Sequence, residues 1–165
     1  MFLRALATRP YPVAVSRLIA SFFGTGLILR RLRGSDLGSG TVASIFALGL
    51  SLLLQPRGIG FQIGALILAT VASLTAVRPF AADEGDPGWV VIDEAAGTFL
   101  ATLGLGGMPA VVAWAVFRAA DIFKRAFPGV ATAERRLPGA IGVTADDLVA
   151  GVYGLGAGWL LESLL

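Results

Sequence analysis

Seven charged side chains in the second half of the chain have the types and spacing for phosphate chemistry. Asp93 and Glu94 are adjacent, Arg118 and Asp121 stand three apart with Lys124 three further on, and Asp146 and Asp147 are again adjacent. All lie in or beside strongly apolar sequence, where an ionisable group is costly unless paired, hydrated or bound to an ion. The chain has no His and no Cys. That excludes disulfides, histidine and cysteine nucleophiles, and zinc sites built on nitrogen or sulfur. Carboxylates alone are hard oxygen ligands suited to Mg²⁺, Mn²⁺ or Ca²⁺, and Mg²⁺ is the default, because it binds through a few carboxylates, waters and a substrate phosphate.

The basic residues admit two readings. Residues three apart on a helix share a face, so Arg118 and Asp121 can form a local ion pair while Lys124 or Arg125 snorkels at the helix end. Alternatively, Arg118 is a forked donor to phosphate oxygens and Lys124 a point charge beside them. Adjacent helical positions point about 100° apart, so one of Asp146 and Asp147 suffices for a site. The other can serve as a first-turn acid behind Thr144, a plausible N-cap. Other chemistries lack their signatures: there is no Asp-x-Asp pair, no Gly-x-x-x-x-Gly-Lys loop and no Asp-Gly-x-x-Ala-Arg segment.

Elements that bring these groups together must sit in a membrane. Hydrophobic residues make up 56% of the 165 and charged ones only 15%, outside the range of soluble domains. One membrane-embedded domain over 1–165 is expected, all-α, a polytopic bundle with short or re-entrant helices. Residues 1–17 are too polar to span and read as an interfacial arm, with a cleaved signal peptide as the rival reading. The apolar run 18–29 is short for a crossing and reads as re-entrant. Runs 38–54, 59–77, 89–105, 110–123 and 143–165 read as successive crossings, separated by turns at Gln55-Pro56-Arg57-Gly58 and Gly106-Gly107-Met108-Pro109 and by the loops 78–88 and 124–142.

Counting sides places Arg30, Arg31, Arg33, Arg78, Arg118, Lys124, Arg125, Arg135 and Arg136 at one face, with Arg57 alone at the other. By the positive-inside rule the crowded face is cytoplasmic, and all five acids of Asp93, Glu94, Asp121, Asp146 and Asp147 lie just within it. Arg135 and Arg136 read equally well as contacts to anionic headgroups. Gly60 with Gly64, and Gly154 with Gly158, have the spacing for close helix packing. Packing within the chain is the simpler reading, with a homo-oligomer as the alternative.

Three blocks, recurring in order over 24–154, resemble the phosphatidylglycerophosphatase A family. They are Asp86-Pro-Gly-Trp-Val-Val-Ile-Asp93-Glu94-Ala-Ala-Gly97, Phe117-Arg118-Ala-Ala-Asp121-Ile-Phe-Lys124, and Arg136-Leu-Pro-Gly139-Ala-Ile-Gly142-Val-Thr-Ala-Asp146-Asp147-Leu-Val-Ala-Gly151. Where the family has Lys-Pro this chain has Lys124-Arg125, and the family's Pro-Gly-Thr reads here as Ser39-Gly40-Thr41. The resemblance implies a multi-pass inner-membrane enzyme of phospholipid biosynthesis. Such an enzyme hydrolyses phosphatidylglycerophosphate to phosphatidylglycerol and phosphate with Mg²⁺, its site facing the cytoplasm. Asp93, Glu94, Asp121 and Asp146 would then surround the metal, Asp147 would be a further catalytic acid, and Arg118 and Lys124 would bind the substrate phosphate. No nucleic-acid partner is expected. A small ion or proton transporter, or an inactive structural subunit, is the competing class. A transporter needs polar groups through the bilayer depth, and runs 38–54 and 59–77 offer few.

Overall fold

The turn expected at Gln55-Pro56-Arg57-Gly58 separates two helices, whereas of the turn expected at 106–109 only Gly106 precedes a helix that Gly107, Met108 and Pro109 begin, and the described residues contain helices and turns with no strand. The computed structural model describes residues 12–81 and 87–165. In order these form α1 (Val13–Ala20), α2 (Ile28–Arg33), α3 (Ser39–Leu54), α4 (Ile59–Ala76), the single turn α5 (Arg78–Ala81), α6 (Ile92–Ala101), α7 (Gly107–Ile122), α8 (Val130–Arg136) and α9 (Gly139–Glu162). Most of the arm expected over 1–17, and Asp83, Glu84 and Asp86 of the loop 78–88, lie outside the described residues.

Among the described residues two segments are long and apolar enough to cross a bilayer, Ser39–Arg57 and Ile59–Phe80. They coincide with the two runs that carry the fewest polar groups. The run 18–29 is broken: Val13–Ala20 and Thr25–Arg33 meet at 85° and count as a third span only if the bent pair is one crossing. At the bend Phe22 and Phe23 have φ of 45° and 58°, the left-handed region that side chains other than glycine rarely adopt. α6 and α7, with 10 and 16 residues, rise about 15 and 24 Å, short of a hydrocarbon core of about 30 Å. α9 is long enough at 24 residues, but its acids and glycines leave it less apolar than α3 and α4. Of the five crossings expected from residue 38 onward, two are thus candidates, and the bent pair before them adds a third only if it is one crossing.

Packing of α3 and α4 is inverted relative to a soluble protein. α3 buries Ala43, Ser44, Ala47 and Ser51, and α4 buries Gln62, Ala69, Ser73 and Ala76. Their large side chains, including Phe46, Phe61, Ile67 and Leu68, point outward. Lipid is as apolar as leucine, so nothing drives leucine inward, and association depends on close approach of small residues and on hydrogen bonds between helices. Ser73 and Thr144 join α4 to α9 through hydroxyls 2.7 Å apart, and Trp114 Nε1 of α7 donates to Ser44 Oγ of α3 at 3.0 Å. Near the opposite end Gln62 gathers three segments: its Nε2 donates to Ser51 Oγ at 3.2 Å, and its Oε1 accepts from the Gly104 N–H at 2.9 Å.

α9 forms the centre, packed on α6, α7 and α8. A Cβ at Gly154 would stand 2.5 Å from Ala113 O, and one at Gly97 would stand 2.8 Å from Asp147 O. Backbone therefore meets backbone where α9 crosses α6 and α7. Gly154 and Gly158 both serve packing within the chain, whereas a Cβ at Gly60 or Gly64 would meet nothing within 4 Å. The contrast predicts opposite outcomes for one change. Gly154→Leu lowers the thermal midpoint in detergent by the equivalent of about 1–3 kcal/mol or prevents recovery of monodisperse protein. Gly64→Leu leaves the midpoint unchanged.

Candidate functional site

α6 begins inside the protein. Val90, Val91 and Ile92 are buried, and the Val91 N–H donates to Ala20 O at 2.9 Å, tying the approach to α6 to the end of α1. No side chain caps this helix, and Asp93 and Glu94 occupy its first turn, where the helix dipole favours negative charge. α9 brings Asp147 to the same place. One carboxylate oxygen from each of Asp93, Glu94 and Asp147 lies within 4.8 Å of the other two. Asp93 and Asp147 are each 3% exposed, and Asp147 Oδ1 has no hydrogen-bond partner. Three hard oxygen donors, which metal–oxygen bonds of about 2.1 Å can bridge after a small contraction, fit one divalent cation.

Two cations stand beside this cluster, each on its own carboxylate. Arg118 of α7, 9% exposed, donates from Nη1 to Asp121 Oδ2 at 2.6 Å and from Nη2 to Thr41 Oγ1 at 3.4 Å. Its Nε has no hydrogen-bond partner. Lys124, just past α7, donates to Asp146 Oδ2 at 2.5 Å and to Glu134 Oε2 at 3.3 Å. The local ion pair of Arg118 with Asp121 is therefore formed, and it leaves part of the guanidinium fork over. The charges of Asp121, Glu94, Asp146 and Arg118 all act on Asp147, so the two ion pairs and the carboxylate cluster form one electrostatic unit.

α3 closes the site from a third side. A Cβ on Gly40 would collide with the Glu94 carboxylate and lie 3.2 Å from Arg118 Nη2. Glycine at 40 lets the start of α3 approach both charges, and Thr41 follows as an acceptor for Arg118. Burial alone lowers the pKa of the Lys124 ammonium. The hydrogen bond and charge of Asp146, with Asp121 and Glu134, outweigh that and raise it above the ordinary lysine value. Lys124 thus stays protonated through the physiological range, and its contribution to stability is lost only as pH rises beyond the ordinary lysine range.

Of the residues singled out by sequence, Asp93, Glu94 and Asp147 come together, while Asp121 and Asp146 hold Arg118 and Lys124. The adjacent pair divides its work because 100° of helix rotation separates Asp146, facing Lys124, from Asp147, facing α6. Arg135 and Arg136 are exposed at the end of α8, and the Arg135 side chain hydrogen-bonds its own helix at Ala131 O. Residue type and spacing alone give no role to Gly40, Thr41 or Glu134. Gly40 and Thr41 had a signal in the block that departs from the family's Pro-Gly-Thr. Glu134 had none, since a lone acid in a basic loop reads as solvated.

A family model for phosphatidylglycerophosphatase A matches residues 18–162. No curated protein and no solved structure matches the chain. The Lys124–Asp146 pair generates a prediction of its own. Asp146 is almost fully buried, so Lys124→Met strands its charge and costs about 1–3 kcal/mol of stability. The double change Lys124→Met with Asp146→Leu recovers part of that loss, measured as thermal midpoints in one detergent.

Proposed function

The chain belongs to the phosphatidylglycerophosphatase A family, and we propose that it hydrolyses phosphatidylglycerophosphate to phosphatidylglycerol and phosphate with Mg²⁺, in phospholipid biosynthesis. As a member of that family it is a phosphatidylglycerophosphatase, a phosphoric monoester hydrolase of lipid metabolism. The observation that carries the finer reading is the trio of buried Asp93 and Asp147 with half-buried Glu94 beside a partly committed Arg118.

In this reading Asp93, Glu94 and Asp147 hold the metal. Magnesium bound there supplies an acidified water and neutralises phosphate charge. Arg118, oriented by Asp121 and Thr41, donates from Nε and its outer edge to the phosphoryl oxygens, where negative charge accumulates during transfer. Asp121 and Asp146 act through the cations they hold, and Lys124 places a fixed positive charge at the rim. Water oxygen bonds to phosphorus, the bond from phosphorus to the glycerol oxygen breaks, and the proton given up by the water ends on that oxygen. The arginines gathered at one face favour an inner-membrane enzyme with its site on the cytoplasmic side.

Phosphate release from phosphatidylglycerophosphate by detergent-purified protein tests the reading. Release depends on Mg²⁺, falls about 10²–10³-fold in Arg118→Ala, and is lost in Asp93→Asn. Absence of metal-dependent release from phospholipid monoesters overturns it. The ligand assignment is tested separately: Asp147→Asn raises the Mg²⁺ concentration for half-maximal activity about 10-fold or more, and Asp146→Asn raises it less.

A further inference from the structure

The bent α1–α2 hairpin carries a second concentration of charge that the carboxylate site does not use. Between residues 13 and 37 there are four arginines, Arg17, Arg30, Arg31 and Arg33, and one acid, Asp36, a local balance of +3. Three of the arginines, with Leu27, line a cavity of about 500 Å³, and Arg17 and Arg30 also line a neighbouring one of about 330 Å³ with Phe80 and Trp89. Asp36 lies 3.6 Å from Arg30. Among the described residues no carboxylate pairs with Arg17 or Arg31. Arg17 instead lies over the Trp89 indole at 5.2 Å from the ring centroid, an arrangement that fixes a guanidinium while leaving its N–H edge open to an anion.

The same hairpin borders an apolar groove of about 440 Å³, lined by Ile19, Phe22 and Phe23 of the hairpin against Leu68, Ile92 and Phe99. Ile19 is two residues from Arg17, so the groove and the basic cavity flank one short helix. Phe22 and Phe23, the two described residues other than glycine with positive φ, form its wall at the bend. Backbone held in that region is strained, and strain persists where the surroundings or a ligand over-determine it. A basic cavity next to an apolar slot, in a chain with membrane-crossing helices, has the chemistry of a phospholipid: a charged phosphate joined to a hydrocarbon chain.

We propose that this hairpin binds an anionic glycerophospholipid at a site sharing no residue with the carboxylate cluster. Arg17, Arg30 and Arg31 take the phosphate, and the groove beside Ile19, Phe22 and Phe23 takes one acyl chain. Through Val91, whose N–H is held by Ala20 at the end of α1, an occupant of the hairpin would also brace the entry to α6.

The test is the thermal midpoint of the full chain in neutral detergent, titrated with phosphatidylglycerol, phosphatidylcholine or soluble glycerol phosphate, with retained lipid counted by native mass spectrometry. Phosphatidylglycerol raises the midpoint by about 3 °C or more in the parent and equally in Asp93→Asn, and the other two raise it little. Arg17→Gln with Arg31→Gln increases the phosphatidylglycerol needed at least about tenfold, the loss expected when two charge-assisted contacts go. Should that double variant not fold, Leu68→Trp fills the groove from its exposed side, and phosphatidylglycerol of full chain length then has no more effect than a short-chain form. The proposal is overturned by a response unchanged in the arginine variant, or in Leu68→Trp where that variant stands in. It is equally overturned if Asp93→Asn abolishes the response, which places the lipid at the carboxylates, or if soluble glycerol phosphate reproduces it. Phosphate release is not read, so failure of the catalytic proposal leaves this result standing.

Discussion

The cost of holding three carboxylates together away from water governs this structure. Asp93, Glu94 and Asp147 present oxygens within 4.8 Å of one another, the two aspartates buried and Glu94 half-buried, an arrangement that like-charge repulsion and desolvation both oppose. Three features around the cluster offset that cost, whereas the charges of Asp121 and Asp146 add to it. The first turn of α6 supplies its dipole, Arg118 brings a buried guanidinium, and the donor set matches a divalent cation. Asp121 and Asp146 neutralise the flanking cations, so that Arg118 and Lys124 are held in place.

Such a cluster can form only if α3, α6, α7 and α9 approach closely, and the membrane environment dictates how. With no hydrophobic drive between helices, the interfaces are built largely from glycine, alanine and hydroxyl side chains around a few large ones such as Phe99 and Phe117. Gly97, Gly151 and Gly154 set the spacing at the centre, and Gly40 does the same at the edge of the site. Gly40 shows how closely packing and chemistry are joined. Its missing side chain is the space occupied by Glu94 and approached by Arg118.

The hairpin and the carboxylate site divide the charges of the chain into two kinds. Those of the carboxylate site are buried or half-buried and are paired, or gathered for a cation, with fixed geometry. Those of α1 and α2 are exposed arginines around a cavity, open to a mobile anion. The physical link between them is short, since the strand of backbone from Trp89 to Ile92 touches the hairpin on one side and starts α6 on the other.

The sequence by itself determined the solvent, the ligand chemistry and the charged candidates. Composition implied a membrane, the absence of His and Cys left only oxygen donors, and acids in apolar runs marked themselves by their cost. Arg118, Asp121 and Lys124 were legible because three-residue spacing puts side chains on one face. Tertiary structure alone decided which acids meet. Periodicity ranks residues along an axis but leaves the rotation of each helix about that axis free, so the partner of Asp146 and the partner of Asp147 could not be told apart. It also decided which segments are long enough to cross, because α6 is confined to Ile92–Ala101 within the apolar run 89–105 and α7, at 16 residues, stays short of the hydrocarbon core. Gly40 against Glu94 lay further beyond reach, since a contact 54 residues apart in the chain exists only once α3 has packed on α6.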